Sequence, residues 1–483
     1  MSTRTHLELG RSGGHFLARI SLGVPRPDNP YLPFVPKMMA TPIGDHPIVG
    51  IFDTQIRARL HDIFAGTDWS HISVVRIGYP GQRPSECPAT ILVAVRPNTL
   101  GVEKAAGLVH VAAAFVYGFT RLRDIAIEII EADVVPHSDD TLPDRKHFDE
   151  ALCATPPIGA GLGLSDSRST GTLGGYLRIS TAKKSKYVAL ACHQVLSGIE
   201  RESTCATLAL LRIQRQAGTL DQNGRQRLHL SDKRVKDGEE KCEKIARFQN
   251  HLGKVYCTSG VGVTDGWISD WGLVELAQER FPSFDNLSTA LSSEVVDYLR
   301  GHYQDAESLT IHGGIASQKD LVAASSGRLD DSHKNVVFKC GRTTGNTRGV
   351  LNSIISSVRM SYGDNVPVVG SALVVLSPSE TSPTGPGSPG CGSAPVFGRK
   401  GDFGSLVFDY RGKVLGIYVG RQNEGPNRED YKVNPPITPP YFDGIHFVSP
   451  IGSTINGIRA AVRDDPTFGG LDVDVEFLWG PSE

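Results

Sequence analysis

Near residue 140 the hydrophobic rhythm of the chain changes, and the change divides what its two halves can become. From Pro47 to about Val135, "IVGIFDTQIRARLHDIF" and "GVEKAAGLVHVAAAFVYGF" repeat apolar residues at helical spacing. Between and after them, "SHISVVRIGY", "ATILVAVRP" and "DIAIEIIEADVV" read as strands. That alternation predicts a sheet with helices packed on one face. Beyond Ile158 the pattern becomes many short β-like runs separated by glycine-rich turns, which predicts a sandwich or barrel. A chain of 483 residues also exceeds one ordinary core, so the fold class expected is multidomain: an α/β (α+β) domain followed by an all-β domain.

Boundaries follow from composition. Residues 1–45, with "PRPDNPYLPFVPK", are expected to be an irregular arm, because proline cannot hold a regular helix or a central strand. The α/β domain spans 46–137, a polar linker 138–157, and the β-rich domain 158–465, with a tail over 466–483. Inside the β-rich part, "DKRVKDGEEKCEKIARFQNHL" has charges at helical spacing and predicts a helical insertion over about 226–252. "SPSETSPTGPGSPGCGSAP" has too few large apolar residues to pack and predicts a flexible loop over 377–395. Near the end, "GIHFVSPIGSTINGIRAAVRDD" predicts a strand followed by a helix from Ile451 to Val462.

Bulk properties exclude several partner classes. The net charge of -2 gives no electrostatic reason for nucleic acid or a membrane surface, and no apolar run is read as long enough to cross a bilayer. The start "MSTRTHLELGRSGG" has neither a secretory pattern nor a myristoylation pattern, so an intracellular (cytoplasmic) location is expected. There the eight cysteines, none in a CxxC pair, are expected to remain thiols. No HExxH or paired Cys/His spacing points to a metal, and nothing points to a cofactor.

Four stretches of the second half resemble the trypsin-like (chymotrypsin-fold) serine peptidases, in a branch from filamentous fungi that carries an α/β domain ahead of a double β-barrel. They are "STGTLGGYLRIS" (169–180), "YVALACHQVL" (187–196), "LGKVYCTSGVGVTDGWISDWGLVEL" (252–276), and "VFKCGRTTGNTRGVLNSI" (337–354) with "GDFGSLVFD...GKVLGIYVG". The likeness covers roughly residues 155–465 and keeps the family's order of histidine, aspartate and serine stretches.

The resemblance implies roles, and here the sequence departs from them. Asp270, before Trp271, matches the aspartate that orients the catalytic histidine; the alternative is an aspartate capping a turn. Gln194 stands where the general base belongs, and an amide has no proton-accepting nitrogen near neutral pH. His193 is one residue early, and in extended chain it would face away from the cleft, as a structural or surface histidine. At the nucleophile position stands Phe403, whose ring cannot attack a carbonyl. Ser405, two residues on, would place the attacking oxygen out of position. Gly401 matches the glycine whose N–H helps bind an oxyanion, with the N–H of residue 403 as second donor. By resemblance, Phe397 lies at the base of the specificity pocket and Tyr418, Val419 and Gly420 form its wall.

Two weaker signals remain. "GAGLGLSDS" (159–167) has alternating glycines but no strand before it and no helix after it, so it reads poorly as a phosphate loop. "GRTTGNTRG" (341–349) has the arginines and hydroxyls of an anion site, or is a polar hairpin. The function expected is that of a peptidase homologue without hydrolysis, a regulatory or binding module for a protein or peptide. The alternative is an active hydrolase with His193 and Ser405 as relocated groups.

Overall fold

The computed structural model describes residues 5–9, 16–22, 38–79, 82–135, 155–164, 170–196, 202–205, 251–290, 314–317, 319–321, 335–360, 366–377, 396–423, 444–463 and 465–479. In the first half lie strands β1 (Thr5–Leu9), β2 (Phe16–Leu22), β3 (Met39–Thr41), β4 (Trp69–Gly78), β5 (Ala89–Val95), β6 (Ile125–Glu131) and β7 (Asp133–Val135). Helix α1 (Arg57–Phe64) precedes β4, and α2 (Val102–Thr120) follows β5. The order across the sheet is β1-β2-β6-β5-β4, with β5 and β6 parallel and joined through α2.

Alternation along the central strands sends side chains to two different cores. Ile91, Val93 and Val95 of β5 pack with α1 and α2, while Leu92 and Ala94 turn to the opposite face. That second face meets Trp271, Phe338, Met360 and Phe447 of the chain's other half. A strand buried on both faces needs apolar residues throughout, which explains the unbroken "ATILVAV".

In the second half, β8 (Gly161–Leu164), β9 (Thr170–Thr172), β10 (Gly175–Ser180), β11 (Ser185–Ala191), β12 (Glu202–Cys205), β13 (His251–Thr258), β14 (Gly262–Thr264), β15 (Trp267–Ser269) and β16 (Gly272–Leu276) come first. After them come β17 (Val336–Gly341), β18 (Gly345–Leu351), β19 (Ser356–Met360), β20 (Val368–Leu376), β21 (Leu406–Asp409), β22 (Val414–Asn423), β23 (Ile445–Pro450) and β24 (Asp474–Phe477). One sheet runs β24-β10-β11-β16-β13-β12-β8-β9. In the other, pairings run β20-β18-β17-β21-β22-β23 and return from β23 to β20, so these strands close a ring without free edges. A single helical turn, α3 (His193–Leu196), follows β11, and α4 (Ile451–Val462) follows β23 as the spacing predicts.

Several expectations need correction. Residues 1–45 are not an irregular arm throughout: β1 and β2 pair as antiparallel neighbours at the sheet edge, in short alternating runs that the nearby prolines overshadowed. The helix expected to reach residue 252 gives way by His251 to β13, which pairs with β16, and 226–250 lie outside the described residues. Of the 377–395 loop, only Ser377 is described. The tail contributes β24, which adds to β10. Helix α2 is also long and apolar enough to cross a membrane by length and composition, because charge is confined to Glu103 and Lys104; here one side of it packs on the sheet. Finally, β4 pairs with β19 and β7 with β22, so one sheet runs across the boundary drawn near residue 137.

Candidate functional site

Three loops bring the positions singled out in the sequence together. Asp270 sits between β15 and β16, Gln194 lies in α3, and Phe403 occupies the turn ahead of β21. A carbon added to Gly404 would lie 2.9 Å from Cys192 N, so the 401–405 turn presses directly on the chain that leads into α3. Gly404 has φ +91° and Gly401 φ +86°, values that favour glycine and allow this tight path.

Gln194 Nε2 donates to Asp270 Oδ2 at 2.8 Å, with both side chains buried. Burial pushes the Asp270 carboxyl up to about 7, against hydrogen bonds from the Gln194 and His193 backbone and the Gln194 amide. With an imidazolium in place of the amide, a positive partner would hold the carboxylate ionised. Here the partner is neutral.

His193 is in α3 rather than in extended chain, so the opposite-sides reasoning does not apply; adjacent helical residues diverge by roughly 100°. Its Nδ1 lies 3.0 Å from Thr258 Oγ1, and burial lowers its pKa. Ser405 is fully buried and its hydroxyl donates to the Asp402 carbonyl.

Phe403 is 1% exposed and stacks on Tyr418, with ring centroids 5.0 Å apart and planes at 26°. Phe397 meets Tyr418 edge-on at 5.9 Å, and Tyr418 Oη lies 2.9 Å from His446 Nδ1. The residues expected to floor and wall a pocket therefore form a packed aromatic cluster. Val419 and Gly420 need separate correction: Val419 turns to the opposite core with Phe447, and Gly420 lies beside Val134. At the oxyanion position, Gly401 O accepts from Thr172 Oγ1 at 2.8 Å. Among the described residues neither the Gly401 nor the Phe403 N–H donates a hydrogen bond.

Beneath this turn is a hub the sequence reading missed. Asp402 accepts from Lys339 Nζ at 3.0 Å, Thr344 Oγ1 at 2.7 Å, Thr343 N at 2.8 Å and Arg399 N at 2.9 Å. Lys339 and Asp402 are both fully buried side chains. The "GRTTGNTRG" segment is thus a hairpin, β17 to β18, and the anion its turn holds is the protein's own Asp402. "GAGLGLSDS" contributes β8, a strand. The available signal was a lone lysine inside the apolar run "VVFKCG", since a buried cation needs a partner; "GIHFVSP" signals His446 in the same way. His446 Nε2 bonds Ser377 Oγ at 3.0 Å, and burial, then Arg421 and Lys339, holds its pKa well below the usual range.

No cluster of His, Cys, Asp and Glu suited to a metal occurs among the described residues, and Cys87, Cys192, Cys257 and Cys340 are not in disulfides. No protein-family model and no curated protein matches this chain. Among solved structures it is similar to protease A of Thermobifida fusca, at 12% identity and TM-score 0.29 over 62% of this chain and 95% of that one. A glutamic-acid-specific serine protease that uses a histidine triad in substrate binding is similar at 11% identity and TM-score 0.29, over 62% and 96% of the two chains. Chymotrypsin of Cellulomonas bogoriensis is similar at 12% identity and TM-score 0.29, over 62% and 94%.

Proposed function

We propose that this chain is a trypsin-like peptidase homologue, a double β-barrel joined to an α/β unit, that holds a protein or peptide and does not cleave it. The observation that carries the reading is the Gln194–Asp270 pair: the group 2.8 Å from the carboxylate is an amide, which cannot take a proton from a nucleophile. Phe403 supports it, since position 403 carries a ring buried against Tyr418 and offers no hydroxyl to attack with. The Gly401 and Phe403 N–H groups would then hold a peptide carbonyl rather than stabilise an oxyanion. Neither Ser405, with its hydroxyl on the Asp402 carbonyl, nor His193, bonded to Thr258, favours the relocated hydrolase.

A fluorophosphonate probe tests the inactive reading. No covalent adduct is expected at any serine, and stoichiometric labelling would overturn it. The double variant Q194H/F403S tests the scaffold: with Asp270 and the two N–H donors in place, ester hydrolysis should rise above either single variant. A folded double variant with no gain over Q194H and F403S would argue that the cleft itself has been remodelled.

A further inference from the structure

We infer that the joint between the two halves is an acid-sensitive latch, closed by two histidines of the first half that each hold a side chain of the second. The backbone ladders across this joint are short. Strand β4 meets β19 at two residue pairs, Ile72 with Ser357 and His71 with Val358, and β7 meets β22 at three. Side-chain hydrogen bonds reinforce both ladders, and they pass through imidazole nitrogens.

His71 is fully buried in β4 and reaches both second-half strands. Its Nε2 lies 2.9 Å from Gln422 Oε1 on β22, and its Nδ1 lies 2.9 Å from Ser73 Oγ, itself 2.6 Å from Ser356 Oγ on β19. An amide oxygen only accepts, so Nε2 carries the hydrogen and Nδ1 accepts from Ser73. A second proton would make Nδ1 a donor and set a full charge among Ser73, Ser356, Gln422 and the Phe447 ring. These are the groups that β4, β19, β22 and β23 present to it among the described residues, and none is charged, so nothing there offsets the burial.

His61, half-buried in α1, stacks on Trp69 with ring centroids 5.3 Å apart, and its Nε2 lies 2.8 Å from Ser357 Oγ on β19. Arg57 Nη1 donates to the same oxygen at 3.3 Å, which leaves the hydroxyl hydrogen for the imidazole. Protonation would aim two cations at one hydroxyl. Of the charged groups around it, Arg57 is bonded to Asp53, Asp62 follows it in the chain, and Arg359 of β19 pairs with Asp68 at 3.4 Å. Burial, then Arg57, lowers its pKa against the pull of Asp62, and burial lowers that of His71 to about 4. Both rings are therefore neutral in the closed joint and gain a proton more readily once it opens. Closure is favoured above the ordinary value of 6.5 and weakens as pH falls below it.

Hydrogen exchange on the full chain, read by mass spectrometry at about pH 7.5 and about pH 5 and corrected for intrinsic rates, tests the latch. Protection over 356–358 and 421–423 should fall at least about tenfold at the lower pH, since the shift of His71 from 6.5 to about 4 alone gives about thirtyfold. Protection in β10 and β11 should stay within about twofold. In His61→Gln/His71→Gln the amides still hydrogen-bond but do not titrate, so the acid response should vanish. Should that variant fail to fold, His61→Gln alone should cut the response at 356–358 at least about twofold. Equal loss of protection in β10 and β11, no loss at the joint, or an undiminished acid response in the folded variants overturns the inference.

Discussion

Asp270 and His71 show how single buried groups set the response of this protein to pH. The Asp270 carboxyl is raised by burial from 3.8 to about 7, so between those values the folded chain holds a proton the unfolded chain has lost. Its contribution to stability is present at low pH and is lost as pH rises through 7, by roughly 4 kcal/mol in full. Fully buried His71, bonded to Ser73 and Gln422, is lowered by burial to about 4. The unfolded chain binds that proton first, so this contribution is lost as pH falls from 6.5 towards 4. The two slopes oppose each other from pH 4 to 6.5. In Asp270→Asn only the histidine slope remains, so stability by urea titration should rise with pH across that interval and no longer fall between 6.5 and 8. An unchanged profile would contradict the buried, titrating carboxyl. The residues at 194, 270 and 403 were legible from the sequence, because motifs fix position along the chain. It did not disclose that Phe397, Phe403 and Tyr418 fill space rather than line it, which depends on contacts between residues far apart.

Among elements, the β17–β18 hairpin and the 401–405 turn depend on one ion pair. Removing one partner of a buried pair leaves the other charge uncompensated, so Asp402→Ala should destabilise by about 3–5 kcal/mol, while the double variant Lys339→Met/Asp402→Leu should cost less than Asp402→Ala alone. Chemical denaturation of the variants checks the order; equal losses would mean that the turn, not the charge, dominates. Long periodic segments such as α2 and α4 were legible because many residues repeat one spacing. Strands β1 and β24 were not: five and four residues carry little periodicity, and what fixes them is pairing to β2 and β10.

For the whole molecule, the sheet that crosses from β4 to β19 joins the halves. Asn352 Nδ2 donates to Val74 O at 2.9 Å and its Oδ1 accepts from Ile43 N at 2.9 Å. Arg57 donates to Ile355 O at 2.6 Å, and His61 Nε2 lies 2.8 Å from Ser357 Oγ. Deleting residues 1–140 would bare an apolar face and the β19 edge together, so the remaining chain should be insoluble or unfolded by circular dichroism. A truncated chain that stays soluble and melts cooperatively would show that the halves fold separately. This joint was invisible in the sequence, where a polar stretch between two rhythms reads as a linker.

The stacking of Phe403 on Tyr418 has an evolutionary consequence. Replacing a core phenylalanine by a small residue typically costs about 3–5 kcal/mol, so a lineage acquiring serine at 403 alone would lose stability before it gained any turnover. Without histidine at 194 nothing would offset that loss, and selection would remove the intermediate. The buried ring thus sets a barrier in stability that any route to a hydroxyl at 403 must cross.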